Sequence, residues 1–304
     1  MHTAPSSVDH LVARADLTGL TGPVVVGCSG GADSIALLLV AARAGLAPGA
    51  VHVDHCLRAD SADDAAVVAA AATICGAPWR TVRVDVGRGP NLEARARDAR
   101  YATLLAAADQ CGARWILTAH TADDQAETVL EHVLRGSASA GLAGMRQRRD
   151  RVVRPFLGVR RADTHALCAA LGLAVVIDPM NEDPAFTRAV LRRTVLPQLS
   201  ALARRDLVPV LARQAALLGA ESDYLDDLAR AAWPGDGPPA ARALAAVPLV
   251  LARRAVRLWI GPPPPSLAEV DRVLAVASGE RAGVQLAGGR EIRRSGGLLR
   301  LVRV

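Results

Sequence analysis

The segment Ser29-Gly30-Gly31-Ala32-Asp33-Ser34 brings two glycines, two hydroxyls and one carboxylate into a single short loop. Glycines let the backbone approach a phosphate closely, and the unsatisfied N–H groups where a helix begins supply a positive field for it. The hydroxyls of Ser29 and Ser34 can add hydrogen bonds. Asp33 does not suit direct phosphate binding, because like charges repel unless a cation lies between them. This assigns Asp33 to Mg2+ and the loop from Ser29 to Ser34, with Gly30, Gly31 and Ala32, to phosphate. The bland alternative is a serine-capped glycine turn, common where a strand runs into a helix. A second group is acidic: on a helix starting near Ala122, Asp123 and Glu127 are i,i+4 neighbours and Asp124 and Glu127 are i,i+3 neighbours, so their carboxylates share one face. Such a cluster suits an ammonium group; an acidic first turn favoured by the helix dipole is the structural alternative. His52 and His55 end a strand without the Cys/His spacing of a zinc site.

These groups can meet only if the chain brings them to one edge. Residues 1 to 200 alternate short apolar runs with longer amphipathic stretches, the rhythm of a parallel sheet with crossover helices. Strands are expected at Val24 to Gly27, Ala50 to Val53, Thr81 to Val86 and Arg114 to Thr118, with others near 152 to 156 and 174 to 177. Helices are expected at about 34 to 44, 61 to 75, 91 to 109, 122 to 135, 160 to 171 and 187 to 204, with Gly45 and Gly136 at C-cap positions. In an open α/β sheet ligands bind at the carboxyl ends of the strands, where the loop and the acidic cluster both fall. Beyond about residue 205 the pattern changes to helices separated by Pro-rich turns, 234 to 239 and 262 to 265. Ser266 with Glu269 forms a capping box opening a helix to about Ser278, and a glycine-turned antiparallel sheet closes the chain. Two domains are expected, 1–210 and 211–304.

The 304-residue chain contains no lysine; all 36 basic residues are arginine. A Walker-type phosphate loop and Schiff-base chemistry both require a lysine, so both are excluded. Residues 1 to 200 hold 21 arginines against 20 acidic residues, and 201 to 304 hold 15 against 10, which favours a polyanionic partner for the last third. The run Arg146, Arg148, Arg149, Arg151, Arg154, Arg160, Arg161 suggests contact with an RNA backbone. The five cysteines are scattered singly, as reduced thiols would be. No apolar run reaches membrane-spanning length, and a cytoplasmic protein is expected.

A strand followed by S-G-G-x-D-S resembles the PP-loop ATP pyrophosphatases, which cleave ATP between the α- and β-phosphates. Within that superfamily, His52-Val53-Asp54-His55-Cys56-Leu57-Arg58 resembles the H-V-D-H-G-L-R segment of the tRNA(Ile)-lysidine synthetases. The same holds, in order, for Asn91-Leu92-Glu93-Ala94, for Thr118-Ala119-His120 with Ala122-Asp123-Asp124-Gln125-Ala126-Glu127-Thr128, and for Arg135-Gly136 with Gly141-Leu142-Ala143-Gly144-Met145. Arg154-Pro155-Phe156-Leu157 and Asp178-Pro179 with Asn181, Asp183 and Phe186 continue it. Cys56, Thr121 and Ala189 depart from the pattern, and no role is carried to them.

The resemblance implies a Rossmann-like parallel sheet of the adenine nucleotide alpha hydrolase type with a smaller mixed C-terminal domain. It further implies ATP as co-substrate with Mg2+, and isoleucine tRNA with a CAU anticodon and L-lysine as partners. Asp124 and Glu127 would bind lysine and His120 would lie near the reacting phosphate. The implied reaction adenylates the wobble cytidine and then displaces AMP with lysine, giving lysidine. The nearest alternative is a tRNA thiolase of the same superfamily, which commonly carries C-x-x-C pairs or a metal cluster, and this chain has no such pair. A non-catalytic RNA-binding protein on the same fold is the alternative from another class.

Overall fold

The structure, a computed structural model, describes residues 7–56, 61–87, 89, 92–177, 187–233, 237 and 239–303. Leu57, Arg58, Asn91 and the segment from Asp178 to Phe186 lie outside the described residues, as does part of the first Pro-rich turn. The chain divides into two compact units, Met1–Leu217 and Leu218–Val304.

The first unit is built on six strands: β1 (Pro23–Gly27), β2 (Ala47–Asp54), β3 (Trp79–Arg83), β4 (Trp115–Leu117), β5 (Arg148–Arg149) and β6 (Val152–Val153). Their order is β3-β2-β1-β4-β6-β5, parallel except for the β5–β6 hairpin. The parallel Rossmann-like sheet implied by the sequence is therefore present. Progress along the sheet reverses between β1 and β4, which is the switch point where open α/β sheets form ligand crevices.

Both faces of the central strands are covered, so they read as continuous apolar runs rather than alternating ones. Val24 and Val26 join the core formed with α1 (Val8–Arg14), α2 (Ala32–Arg43), α3 (Ser61–Ile74) and α7 (Arg161–Ala170). Val25, Val51 and Ile116 pack on the other side against Leu104, Ala107 and Ala108 of α4 (Leu92–Gln110). Phe156, fully buried in the first core, contributes about 1.5–3 kcal/mol by leaving water. Helix α5 (Ala122–Leu134) follows β4, and α6 (Ser139–Leu142) follows α5. Gly45 and Gly136 take positive φ, as their C-cap positions require.

Three expectations about elements are corrected. Residues 174 to 177 do not form the expected strand: Val176 N–H donates instead to Gly30 O at 2.9 Å, covering the phosphate loop. β3 ends at Arg83 rather than Val86. The helix from 187 to 204 is real but interrupted: α8 (Thr187–Val190) passes through a π-helical turn, Leu191–Val195, into α9 (Leu196–Leu202).

Helix α10 (Val208–Ala232) runs from the first unit into the second. The second unit packs α11 (Ala241–Ala246), α12 (Leu249–Ile260) and α13 (Leu267–Ser278) against a three-stranded antiparallel sheet, β7 (Gly283–Leu286), β8 (Arg290–Ser295) and β9 (Leu298–Arg303). The expected capping box opens α13: Ser266 Oγ accepts from Glu269 N–H at 3.2 Å, and Glu269 accepts from Ser266 N–H at 2.8 Å.

Candidate active site

A cleft of about 650 Å3 lies over the carboxyl ends of β1, β2 and β4. Its floor is the loop after β1. Cys28 N–H still bonds Val51 O at 2.9 Å; the chain then turns and starts α2 with Gly31 as N-cap. Ser34 Oγ ties the loop together, donating to Gly31 O at 2.8 Å and accepting from Ser29 N–H at 3.2 Å. The N–H groups of Ala32 and Asp33, the first two of α2, have no intrahelical acceptor, so they are available to an anion. Gly30 has φ +84°, and a Cβ there would come within 2.6 Å of Val176 Cγ2. At Gly31 φ is −70° and a Cβ would make only ordinary contact, so the packing of the chain demands glycine at 30 and not at 31.

Asp33 projects from the first turn of α2 into the cleft. Burial pushes its carboxyl above the usual range and neighbouring Asp124 adds to this, against the donors Thr164 Oγ1 and Arg161 Nε, the latter at 3.4 Å from Asp33 Oδ2. Among the described residues no group of three or more His, Cys, Asp or Glu side chains could hold a metal ion. Mg2+ ordinarily uses one or two carboxylates together with substrate phosphates and water, so a single hard oxygen donor beside a phosphate loop fits that ion.

The second floor segment follows β4. Thr118 Oγ1 lies 3.0 Å from His120 Nδ1. Burial pushes the His120 pKa down to about 4, with Arg154, Arg97 and Arg100 acting in the same direction against Asp124, so the imidazole is neutral at neutral pH. Thr121 caps α5 through a capping box: its hydroxyl accepts from Asp124 N–H, and Asp124 Oδ2 accepts from Thr121 N–H at 2.8 Å and from Thr121 Oγ1 at 2.8 Å. Burial opposes the Asp124 charge, but Arg161, His120 and the Thr121 donors outweigh it and hold the carboxyl below its usual range.

Ser29, Gly31, Ala32, Asp33, Ser34, His120 and Asp124 therefore line one cleft. Gly30 is covered by Val176. Glu127 is 1% exposed and faces instead a smaller cavity of about 290 Å3 behind Asp124. Its carboxylate accepts from Arg192 Nε at 2.7 Å and Nη2 at 3.1 Å, and from Arg161 Nη1 at 3.3 Å. Arg161 Nη2 also donates to Asp124 Oδ1. Although burial disfavours its charge, Asp124, Glu127, Asp33 and Asp123 together raise the Arg161 pKa.

Arg161 and Arg192 are the site residues that sequence reasoning missed. Arg161 was absorbed into the arginine run, where its place at the first turn of α7 carried no sign of carboxylates packed opposite. Arg192 is aimed by the π-helical turn, a local bulge frequent at functional sites and without a residue signature of its own. The run itself is largely committed to the protein rather than free for RNA. Arg151 donates to Ala113 O at 2.6 Å and Arg114 O at 3.2 Å, and Arg154 is buried with Nη1 on Arg146 O at 2.8 Å. Arg148 reaches Thr18 O across Trp115, and Arg160 pairs with Asp123 and Asp206. Arg149 remains exposed. Arg100 and Tyr101 of α4 also line the cleft.

Residues 6–199 match the model of the PP-loop domain, which makes the chain an ATP-binding protein of the PP-loop class. It is 41% identical to the tRNA(Ile)-lysidine synthase of Salinispora arenicola over 98% of this chain and 96% of that protein. It is 44% identical to that of Salinispora tropica over 91% of this chain and 90% of that protein. The chain belongs to the tRNA(Ile)-lysidine synthase family. Among solved structures, the U34-tRNA thiolase NcsA from Methanococcus maripaludis superposes with a TM-score of 0.55 at 15% identity, covering 70% of this chain and 77% of that one; this likeness shows the fold alone.

Proposed function

We propose that this protein uses ATP to adenylate the wobble cytidine of isoleucine tRNA bearing a CAU anticodon and then joins L-lysine to the base, forming lysidine and releasing AMP and pyrophosphate. The observation that carries the reading is the shared cleft: a phosphate loop at the end of β1 and an ionised carboxylate, Asp124, at the start of α5 flank one space at the sheet's switch point. In the first step cytosine O2 attacks the α-phosphorus and pyrophosphate leaves. Backbone N–H groups of the loop and the hydroxyl of Ser29 meet the negative charge that grows on it, while Ser34 Oγ, bonded to Gly31 O, holds the loop in shape. Mg2+, held through Asp33, would neutralise part of the same charge. In the second step the lysine amine attacks C2 of the activated base, the C2–O2 bond breaks and AMP departs with the oxygen.

Asp124 holds the amino acid by its ammonium group, with Glu127 contributing from behind through the same arginines. His120, neutral at neutral pH, lies near the reacting phosphate without adding a positive charge that would compete with the ammonium for Asp124. The reacting base must be splayed out of the anticodon loop to enter such a cleft. The basic C-terminal region, 211–304, supplies the electrostatic hold on the tRNA backbone, joined by the exposed Arg149 of the earlier run.

The test is incubation with ATP, single amino acids and bulk tRNA, followed by mass analysis of the nucleosides. The reading expects a cytidine joined to lysine, dependent on ATP and lysine together. A sulfur-bearing nucleoside, or ADP as the nucleotide product, would contradict it.

A further inference from the structure

Arg161 touches both ends of the cleft at once. Through Nε it donates to Asp33 on α2 at 3.4 Å, and through Nη1 and Nη2 to Glu127 and Asp124 on α5. Its backbone N–H is fixed on Asp123 Oδ2 at 2.8 Å, which anchors the stem while the planar head divides its donors among three carboxylates. The head carries several donors but a single charge. A cation that takes Asp33 leaves that charge to Asp124 and Glu127, and an ammonium that takes Asp124 returns it to Asp33.

We propose that Arg161 is a shared counter-ion that makes occupancy of the nucleotide end and of the amino-acid end mutually antagonistic, holding the amine off while the nucleotide is intact and admitting it once pyrophosphate has left. This rests on the roles proposed above for Asp33 and Asp124. Arg161 is thus a positioning residue, acting through the carboxylates. The ligands' own charges give the opposite sign: a Mg2+–nucleoside triphosphate complex is a net anion and would by itself attract an ammonium.

The experiment is calorimetric titration of L-lysine into the full chain, with and without Mg2+ and an ATP analogue carrying a methylene between the α- and β-phosphorus. In the native protein the analogue weakens lysine binding by about five-fold or more, and lysine weakens analogue binding by the same factor. In Arg161→Gln the factor falls to one or reverses. Arg161→Lys keeps the charge on a compact head that cannot span both carboxylate groups, so it also loses most of the factor, and it decides the matter should the Gln variant not fold. An undiminished factor in Arg161→Lys, or native lysine binding that the analogue leaves unchanged or strengthens, overturns the inference and leaves the assignment of Asp124 standing. Lysine binding that Asp124→Asn does not weaken overturns that assignment and the inference with it.

Discussion

The phosphate loop is made from contacts within itself. Ser34 bonds Gly31 and Ser29, three and five residues away, and ties the turn locally, while the Val176 segment on Gly30 and the Thr164 and Arg161 donors on Asp33 reach it from elsewhere. The acidic cluster is the reverse. Asp124 is capped locally by Thr121, but the charges that make its neighbourhood habitable come from Arg161, 34 residues beyond Glu127, and Arg192, 65 residues beyond it. A local device tolerates change in the rest of the fold and can be recognised as a motif. A long-range charge network exists only once the fold has formed, and removing one member leaves buried charge without compensation.

The largest effect expected on this contrast is at the loop. Asp33→Asn keeps shape and hydrogen-bonding size but discards the charge, so turnover measured by pyrophosphate release should fall by about 10²-fold or more, with the melting temperature little changed. Near-native turnover would detach Asp33 from the chemistry. At the cluster the order of effects inverts. Arg192→Met strips Glu127 of its two-point partner and leaves only Arg161, so the fold should lose up to about 3 kcal/mol in urea denaturation. A loss below about 0.5 kcal/mol would show that the pair is marginal. Gly30→Ala meets both a positive φ and Val176, and should lower stability by about 1–3 kcal/mol while weakening nucleotide binding more than lysine binding.

The smallest effect concerns pH. The His120 pKa of about 4 in the fold lies below its ordinary 6.5, so between these values the unfolded chain binds more protons. Its contribution destabilises the fold progressively as pH falls from 6.5 through 4. Asp33, whose pKa is raised, acts in the opposite direction at the acid end. The difference between native protein and His120→Asn isolates the first effect: the variant should lose less stability than the native chain over that interval. Parallel pH curves would remove the cause assigned to the His120 shift.

The same contrast explains what was legible beforehand. The apolar runs of β1 and β2, the glycine C-caps and the Ser266–Glu269 capping box are local patterns, and the strands, turns and cap they predicted are present. The apolar residues 174 to 177 carry the same pattern as a strand, yet they cover Gly30 instead of joining the sheet. Composition records burial without saying against what. The arginine run failed for a related reason: Arg154 is in the core and Arg161 is in the acidic cluster, and nothing in a list of like charges separates a solvated face from a set of counter-ions. Thr121, which departs from the family pattern, supplies an N-cap that holds one oxygen of Asp124 in place.

The central claim is that the two ends of the cleft serve two separable steps, nucleotide cleavage at the loop and amine capture at Asp124. The most direct measurement compares Asp124→Asn with the native chain in each half-reaction: tRNA-dependent exchange of pyrophosphate into ATP without lysine, and transfer of lysine to the activated base. The account predicts exchange within about three-fold of native and transfer reduced by about ten-fold or more, the loss expected when a charge-assisted contact of about 1.5–3 kcal/mol is removed. Equal loss in both half-reactions would place Asp124 at the nucleotide and contradict the division of the cleft.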